Sequence, residues 1–182
     1  RRNYNNQLME PVSFLRRFGL MVGLVLLQVL ILNRISLFGY ATPMFYIWFI
    51  VRFESSMTRN AMLIWGFFIG IVIDMFTGTP GLNAACSTIL ALLQPKIVTL
   101  FLSKDRRDIV VPSRDTMGGG PLAGYLFLTT LVHHTFYFIF RGIPLGDWTV
   151  LMAKIVFSTL LTFLIMLVVG MSADKSDKRR SL

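Results

Sequence analysis

Acidic side chains are scarce in this 182-residue chain: nine Asp and Glu stand against 18 Lys and Arg, and only 15% of residues are charged. A soluble domain carries about 25% charged residues, so a large solvated surface is excluded as the main feature. Cysteine is nearly absent. The single Cys86 cannot form an intramolecular disulfide, and in an apolar segment its default role is packing. No Cys-x-x-Cys, His-Glu-x-x-His or Gly-x-Ser-x-Gly pattern occurs, and Gly118-Gly119-Gly120 lacks the Gly-Lys-Ser/Thr ending of a phosphate loop. The sequence therefore offers no catalytic, cofactor or metal constellation.

What is present is apolar sequence in long runs, with charge confined to the gaps; 54% of the chain is hydrophobic. That distribution marks a lipid-embedded, all-α polytopic chain. Six transmembrane helices are expected. They run from about Phe18 to Leu32, Phe38 to Val51, Ala61 to Phe76, Leu82 to Leu102, Leu122 to Phe140 and Trp148 to Gly170. The first is expected to be a retained anchor, not a cleaved signal. The second is short and carries Pro43; at about 1.5 Å per residue it barely spans a core of about 30 Å. Thr77 to Gly81 reads as a tight turn. Pro95 is expected to kink or break the fourth helix, with Ile97 to Leu102 as a candidate interfacial stretch. Residues 103–121 read as a polar loop ending in a glycine hinge, residues 1–17 as a basic segment and 172–182 as a charged, mobile tail.

The net charge of +9 would suggest nucleic acid in a soluble protein. Here the basic residues flank apolar spans, so anionic lipid headgroups and membrane topology explain them and no nucleic-acid partner is expected. With six spans, fourteen Lys and Arg fall on one side and only Arg34 and Arg141 on the other, while Lys96 and Lys154 lie within spans. The rich side is cytoplasmic, which places both termini inside. Removing the second span would move two clusters of four basic residues outside, so the asymmetry argues that this span crosses.

Gly66, Gly70 and Asp74 recur every four residues and share one helix face. The glycines allow close helix approach, either within the chain or to a partner. Asp74 is the only acid inside a span, and a carboxylate there must face protein or water. A structural ion pair or a turn-stabilising role is favoured over transport, with Lys154 the first candidate partner and Arg34 and Arg141 the others at that level. His133 and His134 point about 100° apart and cannot chelate one metal as an i, i+4 pair would. Interhelical hydrogen bonding is their expected role.

The stretch Ile31-Leu32-Asn33 through Leu37-Phe38-Gly39-Tyr40-Ala41-Thr42-Pro43 resembles the rod shape-determining MreD family, especially its Bacteroidetes-type members. So does Gly70-Ile71-Val72-Ile73-Asp74-Met75-Phe76 followed by Thr79-Pro80-Gly81-Leu82-Asn83-Ala84. The similarity covers roughly residues 15–170 in hydropathy, but its motifs sit in the first half, so His133 and His134 inherit nothing from it. The resemblance implies a non-enzymatic inner-membrane protein of the bacterial cell-elongation machinery. It implies MreC as direct partner, with MreB and a peptidoglycan polymerase–transpeptidase pair in the same assembly. It also implies a six-helix fold similar to the substrate-binding subunit of energy-coupling-factor transporters.

Two other functions compete with a scaffold. A vitamin-type binding subunit could line a pocket with Trp48, Trp65, Asp74 and His133. An intramembrane enzyme could pair Asp74 with a histidine.

Overall fold

A computed structural model describes residues 5–35, 41–102, 111–142 and 147–178, with side chains between 14 and 172 in those ranges. Every regular element among the described residues is helical. They are α1 (Asn5–Leu30), a 3-10 turn (Leu32–Arg34), a second 3-10 turn (Phe45–Ile47), α2 (Trp48–Val51), α3 (Arg59–Thr77), α4 (Leu82–Phe101), α5 (Arg114–Met117), α6 (Gly119–Phe140) and α7 (Trp148–Lys178). Among the described residues, five stretches are long and apolar enough to cross a membrane: Phe14–Arg34, Arg59–Thr77, Leu82–Phe101, Gly119–Phe140 and Trp148–Ser172.

The helix ends follow from local chemistry. The Thr58 side chain accepts from the Ala61 amide and caps the start of α3, which stops at Gly78 in the left-handed conformation (φ 64°). Gly81 (φ 79°) then turns the chain into α4. Positive φ is costly for other residues, so this four-residue reversal, Gly78 to Gly81, needs glycine at both places.

α3 lies along α4, α4 along α6, and α6 along α7, while α1 packs on α3. The result is an arc of five long helices. Its inside is filled by residues 41–53, in which every side chain from Met44 to Val51 is buried.

The second expected helix is the main correction. No continuous helix occupies Phe38–Val51. Residues 36–40 lie outside the described part, residues 42–44 are irregular, and only two short helical turns follow. Pro43 has no N–H to give a helix. The free N–H groups around it are taken by side chains of other helices, as described below.

Three smaller corrections concern α4, α6 and α7. α4 runs unbroken through Pro95, and Ile97 and Val98 are buried, so its second half belongs to the bundle and not to an interface. Gly119 and Gly120 form the first turn of α6; only Gly118 (φ 87°) separates it from α5. α7 continues as helix to Lys178, well past Gly170 and into the stretch expected to be a mobile tail.

Candidate functional site

Gly66 and Gly70 are occupied by the chain itself. A Cβ at Gly66 would lie 2.8 Å from the Ala91 Cβ, and one at Gly70 would lie 2.5 Å from both the Ala84 Cα and the Asn83 carbonyl oxygen. The glycine face of α3 is therefore filled by α4, with no room for a partner helix.

Asp74, one turn further, completes the same contact. Its Oδ1 accepts from the Asn83 backbone N–H (2.9 Å), and its Oδ2 from that of Ala84 (2.9 Å). These are the second and third amides of α4, the two that an N-cap side chain would satisfy. Gly81 has no side chain to do so, and Asp74 does it from the neighbouring helix. The charge sits at the positive end of the α4 dipole. Thr79 Oγ1 (2.8 Å) and Asn83 Nδ2 (2.8 Å) also donate to Oδ1. The hydrogen bonds of Asp74 thus come from the α3–α4 turn. Lys154, the first candidate partner, is not among these donors; it lies half-buried on α7, and Arg34 is exposed in the first 3-10 turn. Arg141 donates instead to the Tyr137 hydroxyl (2.7 Å).

From Asp74 a chain of hydrogen bonds runs inward. The Asn83 amide nitrogen is spent on Asp74 and Thr79, so its Oδ1 must be the atom facing Tyr46, whose hydroxyl donates to it at 2.9 Å. Tyr46 has one proton and has used it. The contact between Tyr46 and His133 Nε2 (3.0 Å) therefore requires the proton to come from histidine. His133 is assigned the Nε2–H tautomer by this network, and its buried Nδ1 has no hydrogen-bond partner.

His134 takes the opposite form. Its Nδ1 lies 2.9 Å from the Thr130 carbonyl, which can only accept, so Nδ1 carries the proton. Its Nε2 then accepts from Thr162 Oγ1 (3.3 Å). The two adjacent histidines, both wholly buried, serve different neighbours and share none of these partners. Two residues, Asn83 and Tyr46, separate His133 from Asp74, so no Asp–His dyad forms there. Among the described residues no three His, Cys, Asp or Glu side chains are grouped to hold a metal ion.

Five further polar side chains, Gln28, Gln94, Tyr125, Ser158 and Thr162, have a common target, the backbone of residues 41–53. Ser158 Oγ accepts from the Thr42 N–H (3.0 Å) and Thr162 Oγ1 from the Met44 N–H (3.0 Å), both from α7. Gln28 on α1 works in both directions: its Nε2 donates to the Pro43 carbonyl (2.8 Å), and its Oε1 accepts from the N–H groups of Phe45 (2.8 Å) and Tyr46 (3.3 Å). At the other end Tyr125 of α6 donates to the Val51 carbonyl (2.9 Å), and Gln94 of α4 donates to Tyr125 (3.0 Å) and to the Phe53 carbonyl (3.5 Å). Non-helical backbone within a bilayer is tolerated only where protein satisfies it, and these side chains do so.

Gln28, Tyr46, Gln94, Tyr125, Ser158 and Thr162 escaped the sequence reading, though a signal existed. Gln28 is the sole amide in its apolar run, and Ser158 and Thr162 share a helix face four residues apart. The four residues considered for a vitamin pocket do not converge. Trp65 packs against Phe14 and Phe49, and Trp48 stacks on Phe45, while Asp74 belongs to the α3–α4 turn and His133 holds Tyr46.

Compared with protein-family models, with curated proteins and with solved structures, the chain matches none.

Proposed function

We propose that the protein is a non-catalytic scaffold of the bacterial cell-elongation complex in the inner membrane, binding MreC and acting beside MreB and a peptidoglycan polymerase–transpeptidase pair. The observation that carries this reading is where the two MreD-like stretches meet. Asn33 and Pro43 accept from the same Gln28 side chain, Gly70 seats against Asn83 and Ala84, and Tyr46 joins the first region to Asn83 of the second. The buried members of the two stretches, among them Leu32, Pro43, Gly70, Asp74, Asn83 and Ala84, are thereby joined through Gln28 and Tyr46, and the faces left for a partner are the exposed outer faces of the long helices.

Six crossings with both termini in the cytoplasm belong to the same proposal. Gln28 holds Pro43 and Phe45, while Arg17 pairs with Glu54 at 3.0 Å. The two anchors on α1 are separated by about 16 Å along the helix axis. Residues 43–54 therefore descend alongside α1 through about half of a hydrocarbon core, as a crossing made of irregular backbone and two short helical turns. The 14-to-2 charge asymmetry supports the same topology. Similarity to the substrate-binding subunit of energy-coupling-factor transporters is part of this proposal as an architecture, without a bound vitamin.

Photo-crosslinkers placed at exposed Phe68 on α3 and exposed Leu164 on α7, in native membranes, should capture MreC from at least one face. Full recovery of stable protein without MreC at native expression, with no cross-link from either face, would sink the scaffold reading. A reporter active only outside the cytoplasm, fused to the C-terminus, should stay silent.

A further inference from the structure

The two ends of the helix arc, α1 and α7, scarcely touch each other directly. Between them lie residues 42–45, and the hydrogen bonds of this short stretch alternate. The N–H groups of Thr42 and Met44 go to Ser158 and Thr162 on α7, whereas the carbonyl of Pro43 and the N–H of Phe45 go to Gln28 on α1. Successive peptide groups of an extended chain face opposite sides, as in a strand within a sheet. Here the neighbouring strands are replaced by side chains from two helices.

We propose that the α1–α7 seam is a lateral opening of the bundle, closed by residues 42–45 acting as a two-sided latch. Three neighbouring pairs in the arc are closed by extensive helix packing, α3 on α4 through glycines, α4 on α6, and α6 on α7, while α1 meets α3 by a lighter direct contact that includes Phe14 against Trp65. The seam alone is bridged through a third segment, residues 42–45, by a few polar contacts.

The α7 half of the latch is also suited to release. Thr88, Thr129, Thr130 and Thr135 each spend the hydroxyl on the carbonyl four residues back in their own helix. Thr162 sends its proton across to His134 and takes the Met44 N–H instead. On opening, its hydroxyl has the same fallback within α7 that the other threonines already use, so release leaves no stranded donor on that helix. The inference rests on these contacts and not on the identity of any partner.

The full-length protein in lipid nanodiscs tests it, with Cys86→Ala as background and spin labels introduced by Val22→Cys and Leu164→Cys, both at exposed positions of α1 and α7. Electron–electron resonance should give one distance for the parent. Combining Ser158→Ala with Thr162→Val should add a longer distance, with the open-to-closed ratio rising about fivefold for each hydroxyl removed. Thr162→Ser, which keeps the hydroxyl, should stay closed. A second pair across the α3–α4 hairpin, Ile64→Cys with Leu92→Cys, should keep its single distance in all variants. An unchanged seam in the double variant would overturn the latch. So would opening by Thr162→Ser equal to that by Thr162→Val, or joint broadening of both pairs, which would mean general loosening.

Discussion

In the α3–α4 hairpin, Gly66 meets Ala91, Gly70 meets Ala84 and Asp74 meets Asn83, all within one turn-connected unit. In residues 41–53 the partners lie far off: Thr42 reaches Ser158 and Met44 reaches Thr162, 116 and 118 positions away. The hairpin removes side chains so that two helices can touch, and a single carboxylate from one caps the other. The central segment keeps large side chains and borrows hydrogen-bond partners for its backbone from α1, α4, α6 and α7. Close packing tolerates little change, whereas distributed capping divides its stability among several interchangeable contacts. Both regions lie within the arc of α1, α3, α4, α6 and α7.

That contrast can be broken experimentally at either end. The largest effect should come from Gly70→Leu, whose Cβ would overlap backbone atoms of Asn83 and Ala84 that cannot move without separating the helices. A loss of about 3 kcal/mol or more is expected, read as a collapse of thermal stability in mild detergent. Asp74→Ala should follow, at about 2–4 kcal/mol, because it strips the cap from α4 and leaves buried donors unpaired. Asp74→Asn should cost less, since one of its two terminal atoms can still accept. If Asp74→Ala proved neutral, the cap would not be what holds the turn.

Gln28→Leu should cost about 1–3 kcal/mol, since it abandons a buried carbonyl and N–H in the central segment, and chemical denaturation in bicelles can measure it. Tyr46→Phe should cost about 1 kcal/mol, leaving Asn83 and His133 each short of one partner. The smallest effect should come from Gly19→Ala and Gly23→Ala. Nothing lies within 4 Å of a Cβ at either place, so changes within about 0.5 kcal/mol are expected. A large loss there would mean that α1 is packed against something the bundle itself does not supply.

The parts legible in the sequence are those where one helix decides its own fate. The spacing of Gly66, Gly70 and Asp74 declares a shared face, and apolar length alone locates α1, α3, α4, α6 and α7 to within a turn or so over most of their ends. Residues 38–51 misled for a physical reason. Hydropathy reports burial, and Phe45 to Val51 is deeply buried, but in protein and not along a continuous membrane helix. The partner of Asp74 is hidden from the sequence for a related reason. The sequence leaves Asp74 either an ion pair with a basic residue on another helix or a turn-stabilising role, and backbone amides nine and ten residues downstream make it the second. The role of Ser158 and Thr162 could not be read from α7 alone, because it exists only when the Thr42–Met44 backbone lies beside them.

The long reach of the central segment has a temporal side. Its first backbone partners on α7 are synthesised more than a hundred residues later, a delay on the order of ten seconds at ribosomal speed. Until then, the Thr42 and Met44 amides have no place in an apolar medium. The interior of this protein therefore cannot be finished until α7 has been made, and that late helix is the one that allows an early segment to settle.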